Sequence, residues 1–182
     1  MKIVFVSDIH GCYARLAPVL DFFDHSNADL LCIGGDIINY GPRNGLPPDG
    51  HNPAEIADAL NKRKSKIIAV RGNCDSEVDQ MLLHFPIMSD FALVADGKRN
   101  FLLTHGHLFN ADDRPLWAVA DVIVSGHTHL WRLEREDSGS VCLNTGSITF
   151  PKGGNVPTFA FYDGDAISVL TLGGKVLKSI NL

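Results

Sequence analysis

The feature that most restricts this chain is a recurrence. Five times, a short apolar run rich in β-branched residues stops at a polar turn that combines glycine with Asp, Asn or His. The turns read Ser7-Asp8-Ile9-His10-Gly11, Gly34-Gly35-Asp36, Arg71-Gly72-Asn73-Cys74-Asp75, Thr104-His105-Gly106-His107 and Gly126-His127-Thr128-His129. Runs of this length and composition are strand signals, and glycine lets a backbone turn sharply and approach a ligand closely. In open α/β sheets, sites assemble beyond the carboxyl ends of the strands, so five turns far apart in the chain can converge on one place.

Between the turns, strand and helix signals alternate. Residues 2–6 and 29–33 read as strands. Leu16, Val19, Leu20 and Phe23 recur at i, i+3, i+4 and i+7, as a helix face does, with Pro18 making that helix start late or kink. Asn52 is placed to cap a second helix, with Pro53 at its first position, Glu55 closing a capping box, and Ile56, Ala57 and Leu60 facing inward. Residues 66–70 give a third strand, and Ser76 caps a third helix whose expected buried face is Val78, Met81, Leu82 and Phe85. This order predicts βαβ units and a mostly parallel sheet. Beyond Phe85 the signals are mainly strands, over 91–95, 100–104 and 122–125, with turns at Asp96-Gly97, Asp163-Gly164 and Gly173-Gly174. Residues 115–120 are too few for an assignment. With no repeat, low-complexity tract or linker, the expectation is one domain over residues 1–182, its α/β half and its β half forming the two halves of one sandwich.

Composition narrows the function. At 182 residues and 45% hydrophobic, the chain can close one core without a staple. The apolar run at residues 3–6 is too short for a secretory signal or a membrane span, so a soluble, cytoplasmic protein without membrane partners is expected. Cys12, Cys32, Cys74 and Cys142 form no Cys-x-x-Cys pair, which argues against structural zinc and suits a reducing compartment. A formal net charge of −5 argues against capture of long nucleic acid, which needs a basic face.

Taken in order from Asp8 to His129, the turns resemble the metallophosphoesterase pattern D-x-H, G-D, G-N-H-[DE], G-H and G-H-x-H, and the chain is similar to the calcineurin-like metallophosphoesterases. The resemblance is strongest to small bacterial phosphodiesterases whose third motif reads G-N-C-D, as Gly72-Asn73-Cys74-Asp75 does. It implies an α/β, four-layer αββα sandwich holding two divalent metals. Asp8, His10 and His129 would hold the first metal, Asn73, His105 and His127 the second, and Asp36 would bridge them. Mixed imidazole, carboxylate and amide ligands suit Mn²⁺ first, with Zn²⁺, Fe²⁺ and Ni²⁺ as alternatives. Two such ions lower the pKa of a bridging water and hold phosphoryl oxygens for in-line attack, which implies hydrolysis of a small phosphodiester.

The chain departs from many relatives at Cys74, where they carry a His that protonates the leaving oxygen or steadies the phosphate. The expectation is an enzyme that relies on good leaving groups such as phenolates, with the thiol either donating a proton or ionised. Asp75 either orients His10 or His129 as an outer carboxylate or caps the next helix. In the long loop over residues 34–50, Asn39 and Arg43 are the favoured phosphate contacts, with Asn44, Arg71 and Lys152 behind them. His107 is open between a site role and a loop role. His25, His51 and His84 read as structural or solvated, and Trp117 and Trp131 as packing residues that could flank a pocket. Competing readings are a nuclease, a phosphoprotein phosphatase, and a catalytically silent protein-binding scaffold on the same fold. A homo-oligomer formed through the β-rich C-terminal part is open.

Overall fold

The apolar runs that end in the polar turns fold as nearly or fully buried strands, and they divide between two sheets. The computed structural model describes residues 1–114 and 119–182; Trp117 and most of the unassigned stretch 115–120 lie outside the described residues. In chain order the elements are β1 (Ile3–Val6), α1 (Tyr13–His25), β2 (Leu30–Ile33), α2 (Pro53–Asn61), β3 (Ile67–Ala69), α3 (Glu77–Leu82), β4 (Phe91–Ala95), β5 (Asn100–Thr104), β6 (Val122–Ser125), β7 (Arg132–Arg135), β8 (Val141–Asn144), β9 (Thr158–Tyr162), β10 (Ala166–Thr171) and β11 (Val176–Asn181).

The first sheet runs β11-β10-β9-β1-β2-β3 and the second β4-β5-β6-β8-β7. β1, β2 and β3 are parallel to one another, as are β5, β6 and β8, so the polar turns at their carboxyl ends point the same way within each sheet. The division into an α/β half and a β half does not map onto the sheets. β9 pairs antiparallel with β1, setting Ile3 opposite Tyr162, so the C-terminal hairpins extend the first sheet instead of completing the second. Without that pairing β1 would be an edge strand with unpaired backbone groups.

Alternation along each strand separates two cores. Val4, Val6, Leu31 and Ile33 face outward onto Leu16, Val19 and Phe23 of α1 and Ile56 and Leu60 of α2. Ile3, Phe5 and Cys32 face inward onto Phe101, Leu103, Val122 and Leu143 of the second sheet. Phe101 lies 5.7 Å from Phe5 and 5.0 Å from Tyr162, ring to ring, which locks the sheets together. The two-sheet α/β sandwich is the architecture the sequence implies.

The helices differ from expectation in detail. α1 does not start late: it runs from Tyr13 with Pro18 inside it. Asn52 makes no side-chain cap, because its own N–H is drawn to the Gly11 carbonyl at 2.7 Å, and the Glu55 capping box does not form. On α3, Val78, Met81 and Leu82 are exposed, contrary to the expected buried face, whereas Leu83 and Phe85 are buried just beyond it. Polar anchors orient this six-residue helix: a Ser76–Asp79 capping box turns Asp79 inward, and the Gln80 amide donates to the Leu83 and Phe85 carbonyls and accepts from Ile87 N–H. No described helix is long and apolar enough to cross a membrane.

Candidate metal centre

The turns after β1, β2 and β6 place their polar residues by an unusual backbone. Six described residues other than glycine have positive φ, and five of them are Asp8, His10, Asp36, His127 and His129. Side chains with a Cβ rarely enter this region, and such strain persists only where the surroundings enforce it. Here the turns brace one another. Asp8 N–H donates to Gly35 O, Ile9 and His10 N–H both donate to Asp36 O, and Gly126 N–H donates to His105 O. Glycine is required where they touch: a Cβ on Gly72 would come 2.1 Å from Asp36 Oδ1, and one on Gly126 2.0 Å from Ser7 Oγ.

The imidazoles share one orientation. His10 Nδ1 lies 2.9 Å from Asn39 O, His105 Nδ1 2.6 Å from Gly34 O, and His129 Nδ1 2.8 Å from Phe150 O. A carbonyl only accepts, so each Nδ1 carries the hydrogen and each neutral ring presents Nε2 as a lone pair. Those lone pairs converge on other acceptors. His10 Nε2 is 3.3 Å from His129 Nε2, Asp8 Oδ1 is 3.0 Å from His129 Nε2, and Asn73 Oδ1 is 3.1 Å from His105 Nε2. Asp36 Oδ2 stands midway, 3.8 Å from His10 Nε2 and 3.6 Å from His105 Nε2. Asp8 Oδ1 is buried with no hydrogen-bond partner, while Asp8 Oδ2 is occupied by Ser7 Oγ–H and His127 N–H. Buried acceptors facing one another are costly unless a cation stands among them, either protons on the rings or metal ions. Asp8, His10 and His129 form one group close enough to share an ion, and Asp8, Asp36 and His105 another. The donor set fits divalent metals of the manganese-to-zinc series.

His127 joins this cluster by its ring, 5.1 Å from that of His105, and lines the adjoining cleft. His107 packs edge-on against His105 at 5.2 Å, outside the cleft lining, with a buried Nδ1 that has no partner. Charge follows geometry. Burial alone would raise Asp8, but the surrounding imidazoles of His10, His129 and His105 hold it well below the usual carboxylate range, and the same proximity to Asp8 raises His10 against its own desolvation. Burial and the neighbouring His105 lower both His107 and His127, and Arg43 adds to the lowering of His127.

Asp75 takes neither of its two expected roles. It touches no histidine and caps no helix, the cap being Ser76. Its carboxylate accepts from Asp36 N–H at 2.8 Å, Ile37 N–H at 2.8 Å and Gly72 N–H at 2.7 Å, tying the second turn to the third. Burial raises its pKa to about 6 against the opposing backbone bonds. Cys74 donates its N–H to Asp36 Oδ1 at 2.8 Å, and its thiol, half-buried at the cleft wall, is pushed up to about 12 by burial and by Asp36 and Asp75. In the metal-free chain this is a protonated thiol rather than an ionised one.

The cleft holds about 680 Å³ and is lined by Asn39, Tyr40, Arg43, Cys74, His127 and Lys152 among others. Asn39 acts twice locally, its carbonyl orienting His10 and its Oδ1 accepting from Gly41 N–H. Asn44 lines the cleft while donating to Tyr40 O at 2.7 Å. Arg71, a lesser expectation, is turned away to Asp90 at 2.8 Å and does not line the cleft. His51 is structural as expected, bonded to Ile38 O, and His25 and His84 are exposed away from the cluster. Trp131 packs partly buried against the inter-sheet core.

Sequence reasoning missed a sixth turn. After β8 the chain reads Asn144-Thr145-Gly146-Ser147, the same strand-then-polar-glycine signal without a metal-competent residue. Ser147 Oγ–H donates to Asp8 O at 2.8 Å, and Thr149 Oγ1–H donates to Ile9 O at 2.7 Å, holding the first turn from below. Phe150, which orients His129, follows directly.

The chain is similar to known proteins over most of its length. The profile of the calcineurin-like phosphoesterase superfamily domain matches residues 1–166. Phosphodiesterase YfcE of Escherichia coli strain K12 is 49% identical over 173 residues, spanning 94% of this chain and 92% of its own. Probable metallophosphoesterase YsnB of Bacillus subtilis is 33% identical over 178 residues, 93% of this chain and 89% of its own. The solved structure of Yfce, a phosphoesterase from E. coli, superposes with a TM-score of 0.93 at 44% identity, covering 100% of this chain and 99% of that one.

Proposed function

The chain belongs to the calcineurin-like phosphoesterase superfamily of hydrolases, and from that premise we propose that it hydrolyses small phosphodiesters with two divalent metal ions, manganese foremost. The observation that carries this reading is the convergence of imidazole, carboxylate and amide acceptors around Asp8 Oδ1, which is buried with no donor among the described residues. Asp8, His10 and His129 would hold one ion, Asn73, His105 and His127 the other, and Asp36, midway between His10 and His105, would serve both. When bound, such a pair supplies an activated water and a clamp on the phosphoryl oxygens.

The rest of the chemistry falls to side chains of the chain. The carbonyls of Gly34, Asn39 and Phe150 fix the ring orientation of three histidines before any ligand arrives, so little reorganisation is left to binding. Arg43 faces the cleft beside His127 and offers a planar fork to the scissile phosphate, with Asn39 next to it. Cys74, held protonated at the cleft wall, replaces the histidine that would otherwise donate to the leaving oxygen. A thiol so far from neutral pKa is a poor general acid, which favours substrates whose leaving groups depart as stable anions such as phenolates. Asp75 acts by position, keeping the Asp36 and Gly72 turns in register. The four free cysteines suit a reducing cytoplasm, where we place the reaction.

The test is hydrolysis of an aryl phosphodiester and of the matching monoester by metal-stripped protein, with and without Mn²⁺, beside Asp36→Asn. Diester turnover that needs both the metal and Asp36 is expected, with the monoester slower. No turnover under any metal would overturn the enzyme reading in favour of a silent scaffold. In the same assay, Cys74→His is expected to raise turnover of alkyl diesters relative to aryl ones.

A further inference from the structure

The cleft is lined by two cationic side chains, Arg43 and Lys152, that flank the histidine and aspartate cluster. Arg15, Arg63, Arg71, Arg114 and Arg132 each meet a carboxylate, and Arg135 is held by the Gly139 and Asn181 carbonyls. Arg43 and Lys152, both lining the cleft, form no ion pair with a described residue, although acidic residues outnumber basic ones 21 to 16. Two unpaired cations beside a site for divalent metals repel each other and the ions, and a diester, with one negative charge, neutralises little of this.

Lys152 is built into the site through its backbone. Its N–H donates to His129 O at 3.0 Å, while His129 Nδ1 donates to the carbonyl of Phe150, two residues earlier. Asn155 N–H closes a turn onto Lys152 O at 3.1 Å. Gly153 follows at φ 64°, a left-handed conformation that favours glycine. The position of Lys152 is therefore fixed relative to the histidine cluster, and only its exposed side chain is free to meet a ligand. The two cations also sit on different parts of the cleft: Arg43 belongs to the loop after β2 beside His127, and Lys152 to the loop clamped to His129.

We propose that Lys152 is a specificity residue for a second phosphate group on the substrate, carried beyond the scissile diester, while Arg43 serves the scissile phosphate itself. The preferred substrates are then nucleotide-sized diesters bearing a further phosphate, for which a cleft of about 680 Å³ has room. The inference rests on the diesterase reading above. It is tested with two chromogenic diesters that share a leaving group, thymidine 5′-(4-nitrophenyl phosphate) with either a 3′-hydroxyl or a 3′-phosphate, assayed on the full chain with Mn²⁺ by release of 4-nitrophenolate. The expected result is a kcat/KM about tenfold higher for the 3′-phosphorylated compound, a ratio that falls to about one in Lys152→Gln and persists in Lys178→Gln on β11. A ratio near one in the unaltered protein, or one that survives Lys152→Gln, overturns the proposal while leaving the diesterase reading intact. Release from neither compound overturns both.

Discussion

Asp36 and Asp96 follow strands, sit beside glycine in turns, and have opposite fates. Asp96, between β4 and β5, has both carboxylate oxygens occupied: Oδ1 accepts from Lys98 and Arg99 N–H in its own turn, both at 2.8 Å, and Oδ2 from the Tyr162 hydroxyl of β9 at 2.8 Å. Asp163, between β9 and β10, likewise gives Oδ1 to Asp165 and Ala166 N–H. Asp36 is buried at φ 54°, gives Oδ1 to Cys74 N–H, and leaves Oδ2 facing two imidazole nitrogens. Asp8 shows the same division, one oxygen satisfied and one orphaned. A turn carboxylate with every lone pair used holds a chain; one with an oxygen left over in a buried place holds a cation.

The largest effect should separate the two aspartates outright. Asp36→Asn should lower diester turnover on the order of 10³-fold in the presence of Mn²⁺, while Asp96→Asn changes it less than about twofold. Equal effects in a steady-state assay would break the comparison. Next in size is metal linkage. Saturating Mn²⁺, at about a hundred times Kd, should stabilise the fold by about 2.7 kcal/mol, raising Tm by roughly 5–10 °C for a chain of this length. Calorimetry should show the rise retained in Asp163→Asn and lost in Asp8→Asn.

Asp75 sharpens the contrast, because it is a partly buried carboxylate with both oxygens used, yet by two site turns at once. Asp75→Asn places an amide N–H₂ against backbone N–H groups, and should weaken Mn²⁺ binding by about 10- to 100-fold in titration calorimetry. An unchanged affinity would show that the turns hold their register without it. The smallest effect belongs to the hairpin. Gly97→Ala, at φ 86° with open space around the new methyl, should cost about 1 kcal/mol in urea denaturation, with diester turnover unaffected.

The same distinction marks what could be read before folding. Strand runs at β4, β5 and β6 were legible to the residue, since burial on a sheet face imposes a pattern on few neighbours. The face of α3 was not. Val78, Met81 and Leu82 carry the spacing of a buried stripe, but the Ser76–Asp79 box and Gln80 outweigh it by satisfying backbone groups that apolar contacts cannot. Asp75 was similarly opaque, because two of its three donors, Asp36 and Ile37 N–H, come from a distant stretch of chain.

By itself the sequence determined that the chain alternates strands with glycine-bearing polar turns, that its polar turn residues are of metal-binding type, and that their order is that of a phosphoesterase family. These are properties of residue type and local period, which a linear chain carries in full. Only the tertiary structure decided which oxygens and nitrogens are left without donors, which carbonyls fix the histidines, that β9 closes the flank of β1, and that Arg43 and Lys152 share a cleft unpaired. Each of these is a contact between residues far apart in the chain, and its energy depends on burial and on what else competes for the same lone pair.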